Sequence, residues 1–256
     1  MRVARFSLNG NPAFGIVDGP ELVFLKGHPL VNGYETTGDR VPLKDVKLLA
    51  PTIPSKVVCI GINYQDHITE MGHEGVHPEP TIFLKPSSSI IGPGDAIVLP
   101  KQSNHVELEA ELTIVIGQIA KDVAEAKAME YVWGFTVAND VTARDLQRTD
   151  VQWARAKSFD SFCPLGPWIE TEFVPDGQII ESRIDGETAQ QASIDLMLHN
   201  VPKIISYVSQ QMTLLPGDVI LTGTPAGISK ISAGNVVECE VEGIGTLINP
   251  VIKAAN

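Results

Sequence analysis

The clearest pattern in the chain lies between His105 and Gly117, where acidic and apolar residues alternate from Val106 to Leu112 before an apolar run takes over. Alternation predicts a single β-strand, and a period of two sets Glu107, Glu109 and Glu111 on one face. Leu112 to Ile116 is nearly all apolar, which predicts burial on both faces with the acidic end opening into a cavity. Elsewhere the apolar runs are short. Val3–Phe6, Ala13–Val17 and Leu22–Leu25 are separated by Asn9-Gly10-Asn11-Pro12 and Asp18-Gly19-Pro20, residues suited to tight turns. They predict a small β-rich N-terminal domain over residues 1–48, followed by a main domain over 49–256. Pro51 and Pro54 bracket the linker, and Lys56–Ile62 reads as the buried strand that opens the main domain.

Residues 80–100 predict two strands with a turn, Trp133–Ala138 a strand ending at Asn139-Asp140, Ile179–Ala189 a hairpin about Asp185-Gly186, and Val236–Ile252 further β-structure. Helical signals are fewer. Val123–Tyr131 is rich in Ala, Glu and Lys behind Asp122 as a possible N-cap, and Val201–Met212 repeats apolar residues at helical spacing behind Asn200. A short helix in residues 63–71 would set His67 and Glu70 on one face. The sum is an α+β chain rich in β.

Length and composition narrow the function. A chain of 256 residues with 43% hydrophobic and 20% charged residues can bury a large core. A net charge of −12 argues against nucleic acid or an anionic membrane surface and in favour of divalent cations. Cys59, Cys163 and Cys239 are odd in number and far apart, which predicts buried thiols rather than disulfides. No apolar run is long enough to span a bilayer, and the N-terminus lacks a signal-peptide pattern, so a cytoplasmic protein is expected.

Three like charges about 7 Å apart along a strand must be solvated, protonated or neutralised by a cation. A solvated face is the ordinary outcome in an acidic protein, but the buried run after Glu111 favours a metal. Asp140, at the end of an apolar strand, serves equally as a third ligand or as an N-cap. His67 with Glu70 has base-and-orienter spacing, a pairing also common on surface turns. Lys157 lies among apolar residues, where snorkelling is the commoner role. His73-Glu74-Gly75-Val76-His77 matches the zinc-protease motif H-E-x-x-H, yet Gly72, Gly75, Pro78 and Pro80 oppose the helix that motif requires, so it reads as a chance match.

Taken in order, Gly61-Ile62-Asn63-Tyr64 through His67 and Glu70, Glu109-Ala110-Glu111-Leu112, Asn139-Asp140-Val141-Thr142-Ala143-Arg144-Asp145, Ala156-Lys157-Ser158 and Gly223-Thr224-Pro225 resemble the fumarylacetoacetate hydrolase family over about residues 50–252. Its bacterial isomerase/decarboxylases of the homoprotocatechuate pathway, acylpyruvate hydrolases and oxaloacetate decarboxylases are the members most similar. The resemblance implies a mixed β-sheet roll, a homodimer, and Mg²⁺ or Mn²⁺ held by Glu109, Glu111 and Asp140, with Glu107 outside the pattern. It implies Lys157, His67 and Glu70 as catalytic groups, and Tyr64, Gln147 and Thr224 as contacts to a small 2-oxo acid substrate. Three carboxylates suit such hard cations. A metal chelating a 2-oxo acid favours the enolate shared by decarboxylation, a 1,3-proton shift and C–C hydrolysis. A decarboxylase/isomerase of 2-oxo dicarboxylates is the leading expectation, acylpyruvate hydrolysis the alternative, and a non-catalytic metal-binding module the rival from another class.

Overall fold

The computed structural model describes residues 1–72, 75 and 78–255, so the H-E-x-x-H match at His73, Glu74 and His77 lies outside the described residues. Strand outweighs helix, 44% to 19%, as the short apolar runs and frequent turns require. The largest sheet runs in the order Thr36–Pro42, Glu21–Leu25, Asn11–Asp18, Arg2–Leu8, Cys163–Glu170, Val132–Asn139, Ala110–Ile116, Val219–Leu221, Val57–Gly61, Thr81–Lys85. It is mixed, since Val219–Leu221 pairs parallel to Val57–Gly61 while the neighbouring pairs are antiparallel. A second sheet orders Glu187–Ser193, Ile179–Ile184, Val236–Val241, Gly245–Lys253 and Ile97–Leu99.

The N-terminal hairpins form as their turn residues dictate, with Asn9 and Gly10 both at positive φ between paired strands. Their first strand is also hydrogen-bonded to the main sheet, Val3 opposite Ile169, so the backbone ladder passes without a break from one region to the other. Asp185 and Gly186 likewise take positive φ at the expected hairpin. All three cysteines are free and buried. Among the described residues no helix is long and apolar enough to cross a membrane.

Two expectations about local structure are corrected. The stretch from His105 to Gly117 is two strands, Val106–Leu108 and Ala110–Ile116, which belong to different sheets. The break falls at Glu109, whose N–H donates to the Asn139 side chain at 3.0 Å, while the Ala110 N–H donates to Gln190 at 3.0 Å. Side chains thus satisfy the donors that a continuous ladder would have used. Residues 125–131 form a 3₁₀ segment rather than an α-helix, and Asp122, at φ 52°, does not cap it. The segment packs against the helix Val201–Gln211, whose Asn200 cap accepts from the Lys203 N–H at 3.0 Å as expected.

Candidate active site

Sheet register builds the site. Ala110 lies opposite Asn139 and Glu111 opposite Ala138, which brings Glu109 beside Asp140; the Asp140 N–H donates to the Glu109 carbonyl at 2.8 Å. One carboxylate oxygen from each of Glu109, Glu111 and Asp140 can be chosen so that all lie within 4.8 Å of one another, and the three residues are 0–3% exposed. Carboxylates so crowded and so dry need countercharge.

Three buried cations supply part of it. Lys157, on the short helix Ala154–Lys157, donates to Glu109 at 2.8 Å and to Asp140 at 2.6 Å. Lys85, at the end of the strand Thr81–Lys85, donates to the other Asp140 oxygen and to the Val141 carbonyl. Arg144 holds Glu107 through Nε at 2.6 Å and also donates to Glu109 and Gln147. Glu107 is therefore a partner of Arg144 and stands outside the triad. Among the described residues Glu111 has no cation hydrogen-bonded to it; its Oε2 accepts the Gly223 N–H at 2.6 Å. Counted as ionised, four carboxylates face three cations, and the excess negative charge falls on Glu111.

The titration behaviour follows. Burial works to raise the Glu109 carboxyl, but Lys157 and Arg144 outweigh it and hold it below the ordinary range. Burial and the repulsion of Asp140 and Glu109 push the Glu111 carboxyl well up. For Lys157, burial opposes the charge, but Asp140 and Glu109 prevail and raise its pKa, so it stays an ammonium. Glu111, raised above its unfolded value, favours the metal-free fold fully below that unfolded value, and this contribution is lost as pH rises through the folded one. A divalent cation removes the penalty. The thermal stabilisation by Mg²⁺ or Mn²⁺ is accordingly expected to grow with pH; a shift that is flat or shrinks as pH rises would contradict this account.

Around the triad lies a cavity of about 360 Å³ lined by eight of the nine residues singled out in the sequence: His67, Glu70, Glu109, Glu111, Asp140, Gln147, Lys157 and Thr224. His67 and Glu70 sit on the helix Gln65–Glu70, with Nδ1 of His67 3.0 Å from Glu70. Glu70 also accepts from the Gly227 N–H at 3.0 Å, which ties this helix to the loop carrying Thr224. Tyr64 is the ninth: it is 2% exposed, its hydroxyl has no hydrogen-bond partner among the described residues, and it lines a smaller pocket rather than this one. Burial first, and then the nearby Glu111, push its phenol pKa up. Arg144, Arg148, Phe83 and Trp153 also line the cavity and Lys85 supports it through Asp140; the sequence assigns a role to none of these five. The one sequence signal for Lys85 is its place at the end of an expected strand.

Gly223 is required where it stands. Its φ is +98°, and a Cβ there would lie 2.7 Å from that of Asn63. Gly223→Ala is expected to cost about 1–3 kcal/mol of stability and to weaken metal binding by displacing the N–H that fixes Glu111. Denaturant unfolding and calorimetric metal titration measure the two effects, and wild-type values in both would refute the role.

Residues 56–252 match the fumarylacetoacetate (FAA) hydrolase C-terminal family, and residues 1–51 match the Rv2993c-like N-terminal family. The chain belongs to the fumarylacetoacetate hydrolase family. Its relatives include Protein Rv2993c of Mycobacterium tuberculosis, 48% identical over 99% of this chain and 98% of that protein. Human mitochondrial oxaloacetate tautomerase FAHD2A is 45% identical over 83% of this chain and 71% of its own. Among solved structures, 2-hydroxyhepta-2,4-diene-1,7-dioate isomerase from Mycobacterium marinum is 43% identical, with a TM-score of 0.93 and both chains fully covered. Maleylpyruvate hydrolase from Sphingobium sp. SYK-6, in complex with manganese(II) and pyruvate, is 28% identical, with a TM-score of 0.84 and both chains fully covered. The family thus contains isomerases, tautomerases and hydrolases, and the triad of Glu109, Glu111 and Asp140, all hard oxygen donors with one uncompensated charge, fits a divalent cation.

Proposed function

We propose that this protein is a Mg²⁺- or Mn²⁺-dependent enzyme that interconverts or decarboxylates 2-oxo dicarboxylic acids through their enolate. The carrying observation is the buried triad of Glu109, Glu111 and Asp140 opening into the same cavity as Lys157 and the His67–Glu70 pair. The names of the human tautomerase and the M. marinum isomerase, and the manganese and pyruvate bound to the Sphingobium hydrolase, support the same chemistry. A cation held by Glu109, Glu111 and Asp140 would supply Lewis acidity toward the keto and carboxylate oxygens of the substrate.

The chain's own groups do the rest. Lys157, kept protonated by Glu109 and Asp140, offers a fixed positive charge to the oxygen on which negative charge develops. Glu70 takes Nδ1 of His67, which leaves Nε2 to accept or return a proton at the carbon next to the keto group. Gln147 gives its oxygen to Arg144 and keeps its amide N–H groups for substrate, while the Thr224 hydroxyl accepts from Gln190 at 2.7 Å and keeps its own proton to donate.

A second reading, hydrolysis of acylpyruvates, is favoured by that same His67–Glu70 contact, since water attack needs a base. Enol–keto interconversion and decarboxylation of oxaloacetate, and cleavage of an acylpyruvate, should be followed with Mg²⁺ or Mn²⁺ and with EDTA as control. Metal-dependent turnover of oxaloacetate above acylpyruvate supports the first reading. Stabilisation by metal without turnover of any 2-oxo acid would leave a binding module instead.

A further inference from the structure

The charged side chains of the cavity wall are not equally committed. Arg144 is shared among Glu107, Glu109 and Gln147, Lys157 is held by Glu109 and Asp140, and His67 is held by Glu70. Arg148 is different. It lines the same cavity from the helix Arg144–Thr149, it is exposed where the triad is buried, and among the described residues it has no hydrogen-bond or ion-pair partner. In a chain with 31 acidic residues against 19 basic ones, an arginine left unpaired is unexpected. The acids nearest in sequence are already taken: Asp145 accepts from Ser103 and the Asn104 N–H, and Asp150 is held by Arg155.

Charge and shape give this arginine a task. The buried cluster carries one net negative charge, so a divalent cation turns it to one positive, and the carboxylate of a 2-oxo acid then brings it to neutrality. A second carboxylate on the same substrate has no countercharge at that end. Ile60, Ile62, Phe83 and Trp153 line the same cavity and contribute apolar wall, fit for carbon chain and unfit for charge. We propose that Arg148 is a specificity-determining residue that receives the terminal carboxylate of a 2-oxo dicarboxylate whose keto-acid end lies at Glu109, Glu111 and Asp140. The assignment rests on the proposed function and narrows it to substrates long enough to reach from the buried end to the exposed one. A guanidinium suits the task because it pairs with a carboxylate through two parallel N–H bonds and never loses its charge.

The test compares ligands that differ at one end only. Binding of 2-oxoadipate, of 2-oxohexanoate with a methyl group in place of the second carboxylate, and of oxalate is measured by calorimetry on the Mn²⁺-loaded protein. Wild type is expected to prefer 2-oxoadipate over 2-oxohexanoate by roughly 10- to 100-fold. Arg148→Met should erase that preference while still binding oxalate, and Arg148→Lys should restore part of it. A preference that survives in Arg148→Met, or one absent from wild type, overturns the assignment while oxalate binding leaves the keto-acid site standing. Loss of oxalate binding in Arg148→Met also overturns it, because the residue would then support the whole site and not its outer end. If wild type binds none of the three, the proposed function fails and this assignment with it.

Discussion

Glu111→Gln is expected to lower divalent-metal affinity by a factor on the order of 10² or more and to raise the melting temperature of the metal-free protein at neutral pH. Both effects have one cause. Among the described residues Glu111 has no cation hydrogen-bonded to its carboxylate, so ionising it attracts a metal and, when no metal is bound, destabilises the fold. Glutamine keeps an oxygen for the Gly223 N–H and orphans no lysine. Asp140→Asn should lose metal equally but also destabilise, because Lys85 and Lys157 both depend on that carboxylate. Breaking a buried pair from one side typically costs about 3–5 kcal/mol. Glu109→Gln should behave similarly through Lys157 and Arg144. Glu107→Gln is expected to keep metal and lose stability only, since its carboxylate serves Arg144 and His105. Isothermal titration with Mn²⁺ and unfolding of the four metal-free variants give the pattern. Unchanged metal binding in Glu111→Gln, or a Glu107→Gln protein unable to bind metal, would sink the ligand assignment.

The residues of that cluster were not equally legible in the sequence. Glu109 and Glu111 stand two apart at the mouth of an apolar run and Asp140 ends another, so local pattern proposes them and strand pairing brings them together. The break in the strand at Glu109 has no local signal. It depends on Asn139, 30 residues away, and on Gln190, 80 residues from Ala110, whose side chains replace ladder bonds. The roles of Lys85 and Arg144 have no local signal for a related reason: their carboxylate partners Asp140 and Glu109 lie 55 and 35 residues away. Residues 125–131 show propensity overridden by context, since Ala, Glu and Lys favour an α-helix, yet the seven residues end packed on a longer helix as 3₁₀ turns. The place of Tyr64 in the Gly61–Glu70 stretch gives no signal of its burial, which follows from its position at the start of the short helix.

The variants His67→Ala and Lys157→Met should separate the reactions that share an enolate. Lys157 lies between two carboxylates of the triad, and its charge opposes a metal there while favouring an anionic substrate oxygen. Lys157→Met is therefore expected to leave metal affinity undiminished and to lower kcat for decarboxylation, enol–keto interconversion and acylpyruvate cleavage alike, by roughly 10²- to 10³-fold, as loss of one fixed oxyanion donor does. His67 acts differently. Decarboxylation needs no activated water when the C–C bond breaks, whereas hydrolysis does, and general-base catalysis contributes roughly 10²–10⁴-fold. His67→Ala should thus reduce acylpyruvate cleavage and the proton shift by that order, with a smaller fall in oxaloacetate decarboxylation. Glu70→Gln should reproduce part of the loss, because Glu70 fixes the imidazole and is itself anchored on the Gly227 N–H. A His67 variant that hydrolyses and tautomerises at wild-type rates would remove the imidazole from the mechanism, and equal losses in all three reactions would mean that the Gln65–Glu70 helix acts by enclosing the substrate.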